Sequence, residues 1–394
     1  MLDMEDTFLL DLIRNTNHKN TAKIILAVFF IRSKINEDRG LIMKISLAMI
    51  VKNEEKHIRN CLEKVYNIVD EIVIVDTGST DKTIEIAKEF GAKIYEFNWC
   101  DDFAAARNFA AEKCTGDWIL VLDADEYVSV GDRKTLNDFI KINNNSIGRI
   151  EQHNKYLEGN EVSYSSEYIS RFYPREIKFT GLVHEQLDSE LQRIKMNFRV
   201  EHSGYYNKDK SSRNLPLLLK MLKENKEDTY VLYQIARTLY VDKKYIECQE
   251  YFKRAYDLMK TNLSYRNSLV IYYLYSIVNS NMNYETGLEL INIEKDKYIN
   301  DADFNFVCGI FYLNLILYNE QKYIKYISLI EKSYLRCLEI GEKDSIVDGV
   351  GSFRAEYNLG VYYEVIGNIE YALKYYQESA KKMFKPALNR LKKY

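Results

Sequence analysis

Proline is nearly missing from this chain, with three residues in 394, set against 33 tyrosines. Little therefore interrupts helices, and a tyrosine-rich, proline-poor remainder suits stacked helical repeats. Cysteine is scarce and scattered. Cys61, Cys100, Cys114, Cys248, Cys308 and Cys337 form no C-x-x-C pair and no metal-finger spacing, which argues against a disulfide framework and for a reduced, cytoplasmic setting. An excess of either charge is also absent. With 55 basic and 58 acidic residues the net charge is −3, so nothing draws the chain generally to nucleic acid or anionic membrane, and partners must be sought in sites.

Long hydrophobic runs are lacking too. Ile24 to Ile31 is a short apolar stretch between Lys23 and Arg32, well under the roughly 20 residues a membrane span needs. No small-residue cleavage site follows it, against a signal peptide. We expect Met43, directly before the first clear strand, to be the natural start and residues 1–42 to be an N-terminal extension that is not native; an amphipathic helix packed on the domain is the alternative. The length of 394 residues favours two or three domains with ample core.

The chain is organised around Trp118 to Tyr127, an apolar run that ends in Asp123, Asp125 and Glu126. Ile119 to Leu122 reads as a strand buried on both faces, as in a parallel sheet covered by helices. Strands are also predicted over Lys44 to Val51, Glu71 to Asp76 and Lys93 to Phe97, with helices over Thr80 to Phe90 and Asp102 to Cys114. This alternation predicts a doubly wound parallel sheet over residues 44–145. Ligands bind outside the carboxyl ends of such strands, and an Asp-x-Asp there suits a divalent metal gripping a diphosphate. Asp76 ends the second strand, followed by the turn Thr77-Gly78-Ser79-Thr80; it is placed to accept hydrogen bonds from a base or ribose, while Ser79 or Thr80 caps the next helix.

Met49-Ile-Val-Lys-Asn-Glu-Glu55, Asp76-Thr-Gly-Ser-Thr-Asp81, Ala106-Arg-Asn108 and Asp123-Ala-Asp125, in that order, resemble family 2 glycosyltransferases of GT-A fold. The resemblance implies an inverting, metal-dependent hexosyltransferase using a nucleotide sugar, usually a UDP-sugar, with Mg²⁺ or Mn²⁺. It assigns nucleotide-sugar contacts to Asn53, Glu54, Asp76, Arg107 and Asp123, and metal contacts to Asp125 and Asp123. The alternative for Arg107 is an exposed helix arginine. His202, directly after the apparent strand Phe198 to Glu201, is a further candidate ligand, against the alternative of a structural histidine. Arg171-Phe-Tyr-Pro174, Lys178 to Glu185 and Glu201-His-Ser-Gly-Tyr205 are similar to bacteriocin S-glycosyltransferases, which carry helical repeats, and to wider family 2 enzymes with such repeats.

The sequence lacks the Glu-Asp or Thr-Glu-Asp base motif that many relatives carry after the Asp-x-Asp. Glu185 and His184 are the candidates to take the acceptor proton, against a surface charge and a structural histidine. A hydroxyl acceptor needs such a base; a cysteine thiol, far more acidic, needs it less.

From Lys208 to the end the pattern is helical, with Pro216 expected to kink or delay the first helix. Leu232, Ile235, Ala236, Leu239, Cys248, Phe252 and Ala255 fit a tetratricopeptide-like pair of helices, and Leu359, Gly360, Tyr363, Ala372 and Tyr376 repeat it. Tyr245, Tyr284 and Tyr323 are read as core. The expected architecture is an α/β GT-A domain over residues 43–207 and an all-α tetratricopeptide-like solenoid over residues 208–394. The solenoid offers a concave surface for a peptide or glycan acceptor, or for self-association. Rival readings are an enzyme acting on a cell-surface glycan or lipid-linked acceptor, and a scaffold that binds a nucleotide sugar without turnover. A nucleotidyltransferase would want a glycine- and lysine-rich phosphate loop after the first strand, and Met49 to Glu55 has no glycine.

Overall fold

The computed structural model of the protein describes residues 43–158, 161–202, 211–260, 263, 265–342 and 345–394. The readings for residues 1–42 lie outside the described residues, as does the boundary between residues 207 and 208. Residues Ile45–Tyr394 form one compact unit.

The first half of the sheet follows the alternation in the sequence: β1 (Ile45–Val51), α1 (Ile58–Val65), β2 (Glu71–Asp76), α2 (Thr83–Glu89), β3 (Lys93–Glu96), α3 (Phe103–Lys113) and β4 (Trp118–Val121). These strands pair in parallel in the order β3-β2-β1-β4. Ile119, Leu120, Val121 and Leu122 are at most 1% exposed, the two-faced burial expected of a strand covered by helices on both sides. Ile58, Cys61, Leu62 and Val65 form the buried stripe of α1. Asp102 caps α3 by accepting from the Ala105 amide at 2.9 Å, so the helix starts one residue after its cap.

The sheet does not remain parallel. It continues through β5 (Glu126–Val130), α4 (Arg133–Ile142), β6 (Ser146–Glu158), β7 (Glu161–Pro174), the short pair β8 (Phe179–Thr180) and β9 (Gln186–Leu187), and β10 (Gln192–His202). β7 lies antiparallel to β4, and the eight-stranded order is β3-β2-β1-β4-β7-β6-β10-β5. Trp118 seals the seam where direction changes, with its ring centroid 4.8 Å from Phe172 and 6.1 Å from Phe139. Within residues 44–145 the four predicted strands pair in parallel as expected, and only β5, antiparallel to β10, departs; the mixed half is added by strands beyond residue 145, through the antiparallel β6–β7 hairpin and a parallel β6–β10 pair.

Helices make up the rest: α5 (Ser211–Glu224), α6 (Thr229–Val241), α7 (Tyr245–Leu258), α8 (Arg266–Ser280), α9 (Tyr284–Glu294), α10 (Ala302–Tyr318), α11 (Glu320–Tyr323), α12 (Ile327–Ile340), α13 (Phe353–Val365), α14 (Ile369–Ala380) and α15 (Lys385–Leu391). α5 runs through Pro216 rather than starting after it. The residues assigned to two helix pairs are buried as predicted, including Leu232, Phe252, Leu359 and Tyr376. Tyr284 and Tyr323 are buried and Tyr245 is half-buried.

The helices and the sheet share a boundary at one loop. Val183, between β8 and β9, belongs to the helical core with Leu217, Leu218 and Leu222 of α5. Leu182 and Phe103 pack against the same cluster. A second tie lies at residues 346–348: Ser166 donates its amide to the Ile346 carbonyl at 2.9 Å, and Asp348 donates to that of Tyr164 at 3.3 Å. Asp303 of α10 secures this strap, accepting from the Ile346 and Val347 amides at 2.7 and 3.1 Å.

Candidate active site

The carboxyl ends of β1, β2 and β4 bring the first set of predicted residues together. After β1 the chain turns through Asn53, whose φ of 56° is the left-handed conformation that asparagine tolerates better than most residues. Asn53 receives the Thr80 amide on Oδ1 at 2.8 Å and donates its own amide to Ser79 Oγ at 3.0 Å. Asp76 accepts from the Ser79 amide at 3.0 and 3.2 Å through its two oxygens, and Gly78, at φ 104°, supplies the turn between them. The Glu54 amide donates to Thr83 Oγ1 at 2.7 Å. These bonds lock the β1 and β2 loops to each other. Ser79 and Thr80 serve that bracing rather than capping α2, whose start has no side-chain cap bond.

At the end of β4, Asp123 is held from two sides. Arg107 Nη2 donates to Oδ1 at 2.9 Å and Arg171 Nη2 to Oδ2 at 3.0 Å. Arg107 is 6% exposed, which disposes of the exposed-helix alternative. Its Nε donates to Glu185, so one buried guanidinium bridges two carboxylates from opposite sides of the loop system. Its Nη1 is buried and has no hydrogen-bond partner among the described residues.

Burial opposes ionisation of Asp123, but Arg107 and Arg171 outweigh it and hold the carboxyl well below its usual range. Glu185 is likewise held below its usual range, its desolvation more than offset by Arg107 and Arg171. For Arg107, burial works against the charge and the two acids raise its pKa regardless. Glu126 behaves differently: desolvation comes first, and the charge of Asp123 adds to it, so this carboxyl is pushed up despite Arg171 at 3.7 Å. Glu126 braces the strand end, accepting from the Asp123 amide at 2.9 Å and from Gln152 Nε2.

Asp125 faces His202, with Oδ2 3.5 Å from Nε2. The other ring nitrogen of His202 meets Asn154 Oδ1 at 2.7 Å, which fixes the ring and turns Nε2 towards Asp125. His202 ends β10, so an imidazole from the mixed half of the sheet completes a pair begun just after β4. His184 adopts φ 51°, an uncommon conformation outside glycine, in the loop that delivers Glu185. No group of three or more His, Cys, Asp or Glu side chains arranged to hold a metal occurs among the described residues.

Arg171, Asn154 and Gln152 were not singled out by sequence reasoning. Arg171 lies in Arg171-Phe-Tyr-Pro174, where the sequence alone gives it no role. Buried polar residues at alternate positions of β6 are the signal that would have found the other two, since a buried amide in a strand needs a partner.

Residues 46–194 match the model for Glycosyl transferase family 2. A tetratricopeptide repeat-containing protein of Synechococcus elongatus is 33% identical over 214 residues, covering 50% of this chain and 52% of its own. The SPbeta prophage-derived glycosyltransferase SunS of Bacillus subtilis is 30% identical over 233 residues, covering 54% and 53%. Among solved structures, S. aureus TarS 1-349 in complex with UDP-GlcNAc is 15% identical, covering 86% of this chain and 92% of that one with a TM-score of 0.32. Glucosyl-3-phosphoglycerate synthase from Mycobacterium tuberculosis, with Mn²⁺ and UDP-glucose, is 19% identical, covering 30% and 45% with a TM-score of 0.24. The chain spans about half the length of the curated relatives it matches. It carries a family 2 glycosyltransferase domain of α/β type followed by tetratricopeptide-like helices. No helix among the described residues is long and apolar enough to cross a membrane.

Proposed function

We propose that the chain is an inverting glycosyltransferase that moves a hexose from a uridine diphosphate sugar to a cysteine, serine or threonine side chain of a peptide or protein. The observation that carries this reading is the strand-end constellation, in which Asp123 is clamped by Arg107 and Arg171, Asp125 faces His202, and Glu185 closes on Arg107 from across the loop. Asn53 and Asp76, set by their turns, take the base and ribose, with Glu54 beside them.

Mg²⁺ or Mn²⁺ fits the donor set. Asp125 and His202 offer one carboxylate and one imidazole nitrogen, and such ions take the rest of their shell from water and substrate phosphates, so a full protein cage is not required. Bound there, the cation would neutralise charge on the departing diphosphate. Asp123, with both oxygens engaged by arginines, is assigned to orienting Arg107 and the ribose rather than to leading the metal set.

In the transfer, a bond forms between the acceptor oxygen or sulfur and the anomeric carbon. The bond from that carbon to the diphosphate oxygen breaks, its electron pair leaves with the diphosphate, and the acceptor proton passes to Glu185. Held ionised by Arg107, Glu185 is a weak base; the smaller gap to a thiol than to a hydroxyl supports a cysteine acceptor. The stacked helices are assigned the acceptor surface, since repeat architectures commonly present one to a peptide.

Incubating the purified chain with a panel of UDP- and GDP-sugars, with cysteine- and serine-containing peptides and with and without chelator, tests the reading. Hydrolysis of a UDP-hexose, peptide glycosylation and inhibition by chelator are expected. A chain that turns over no UDP-sugar is not this enzyme, and full activity in excess chelator removes the metal.

A further inference from the structure

We propose that Arg213, carried on the first helix of the repeat half, grips the β-phosphate of the nucleotide sugar, so that the helices complete the donor site. This rests on the reading of the strand-end constellation as a donor site.

The packing of α5 brings its first turn to that site. Val183 of the β8–β9 loop is buried among Leu217, Leu218 and Leu222, and a Cβ placed on Gly181 would come 3.3 Å from Met221 Cε. The same loop carries Glu185, and its Leu182 carbonyl accepts from the Phe103 amide at 2.8 Å. Phe103 opens α3, the helix that carries Arg107. Arg213 lies over this residue, its Cζ 4.8 Å from the centre of the Phe103 ring.

Arg213 lacks a counter-charge, as Arg254 does, but unlike Arg254, whose Nη2 donates to the Lys226 carbonyl at 3.2 Å, it spends neither Nη on protein among the described residues. Elsewhere in the helices Arg266 pairs with Glu294, Arg336 with Glu339 and Arg390 with Glu364. Arg213 has no ion pair among the described residues; its one hydrogen bond there runs from Nε to Asn214 Oδ1 at 2.9 Å. The first turn of α5 contains no acid. Glu185 and Asp123 are the carboxylates whose charge reaches it, and both are already taken by Arg107 and Arg171. A guanidinium held by stacking, with Nη1 and Nη2 unspent on protein among the described residues, presents the planar fork that matches a phosphate. Glu185 marks the side of the site where sugar and acceptor meet, so the phosphate nearest the sugar is the one in reach. Charge builds on that phosphate as its bond to the anomeric carbon breaks, and Arg213 acts there.

The test uses the full chain and calorimetric titration with UDP and with uridine monophosphate in the presence of Mn²⁺. Arg213→Ala should weaken UDP binding at least 10-fold, leave uridine monophosphate within 2-fold and flatten the salt dependence of UDP binding. Arg213→Lys should recover part of the loss, and melting curves should match the parent. Unchanged UDP affinity in a folded variant overturns the proposal, and a rise only in the KM for the acceptor would reassign Arg213 to the acceptor. Equal losses for both nucleotides also overturn it, since a phosphate contact beyond the first would spare the monophosphate. A parent chain that binds no UDP would instead sink the donor-site reading, a result visible without any variant.

Discussion

Arg107 stands between two buried acids, and its loss strands both. Arg107→Ala leaves Asp123 and Glu185 without their shared cation, and breaking a buried pair of this kind costs about 3–5 kcal/mol, so the melting temperature should fall sharply as well as the activity. Arg107→Lys should not restore the parent, because an ammonium cannot reproduce the fork that reaches both acids. Asp125→Ala should abolish turnover with an unchanged melting curve, measured beside chelator-treated parent; retained turnover would dismiss Asp125 as a ligand. The same network sets an acid dependence. Asp123 and Glu185 have depressed pKa values in the folded chain, so the stability they contribute is present above their unfolded values, about 4, and is lost as pH falls below that range. For catalysis, a base held ionised by Arg107 predicts a transfer rate that stays level from neutrality down through the ordinary glutamate range. Glu185→Gln should lower the rate by about 10²-fold or more while sparing donor binding, and a rate like the parent's would make Glu185 only a partner of Arg107.

Elements differ in how much of them the sequence disclosed, and burial explains the difference. β1, β2 and β4 are short runs enclosed on both faces, so their hydrophobicity is continuous and bounded by charge. β6, β7 and β10 are long, and polar residues interrupt them; of β10 only Phe198 to Glu201 was read as a strand. β6 and β7 pair with each other as a hairpin, but β10 pairs non-locally, and no periodicity within one segment predicts that it joins β5 and β6. The helix pairs were legible because close packing demands small residues opposite rings. A Cβ on Gly360 would sit 2.5 Å from Tyr376 Cδ1, so Gly360→Ala should cost about 1–3 kcal/mol by overpacking α13 against α14, read as a lower melting temperature with the donor site intact. The strap at residues 346–348 has a different sensitivity. Burial raises the carboxyl of Asp303 to about 7, so the folded chain resists its ionisation. Stability should therefore decline as pH rises from the unfolded carboxyl range, about 4, through 7, and a melting-temperature series with Asp303→Asn should show a shallower decline.

At the scale of the whole molecule, the sequence divides into an α/β half and a helical half, yet the side chains do not part at that line. The strand-end positions of Asp76, Asp123 and Asp125, the residues proposed for nucleotide and metal, were legible because such carboxylates announce themselves by abrupt changes from apolar to acidic. The share of the helices in the site was not legible, since it depends on Val183 and Gln186 reaching across, and Gln186 Nε2 donates to Tyr230 of α6 at 2.7 Å. A chain ending near Lys223 keeps α5 but loses Tyr230 and the rest of the shared core. It should lose donor hydrolysis together with acceptor transfer, measured after circular dichroism establishes that the product is folded; a folded truncation with parental hydrolysis would show that the later helices serve the acceptor alone.

The same loop bears on how such proteins can be recombined. Phe179, Val183 and Leu187 answer to different neighbours within a few residues: Phe179 and Leu187 are buried with the sheet, and Val183 with the helices. A chimera that joins these strands to another protein's repeats therefore has no clean splice site at the linker alone. Residues 181–186 would have to be inherited with the incoming helices, or matched to them, for Glu185 to reach Arg107. Shuffling the two halves as independent cassettes would leave that glutamate out of register even when both parts fold.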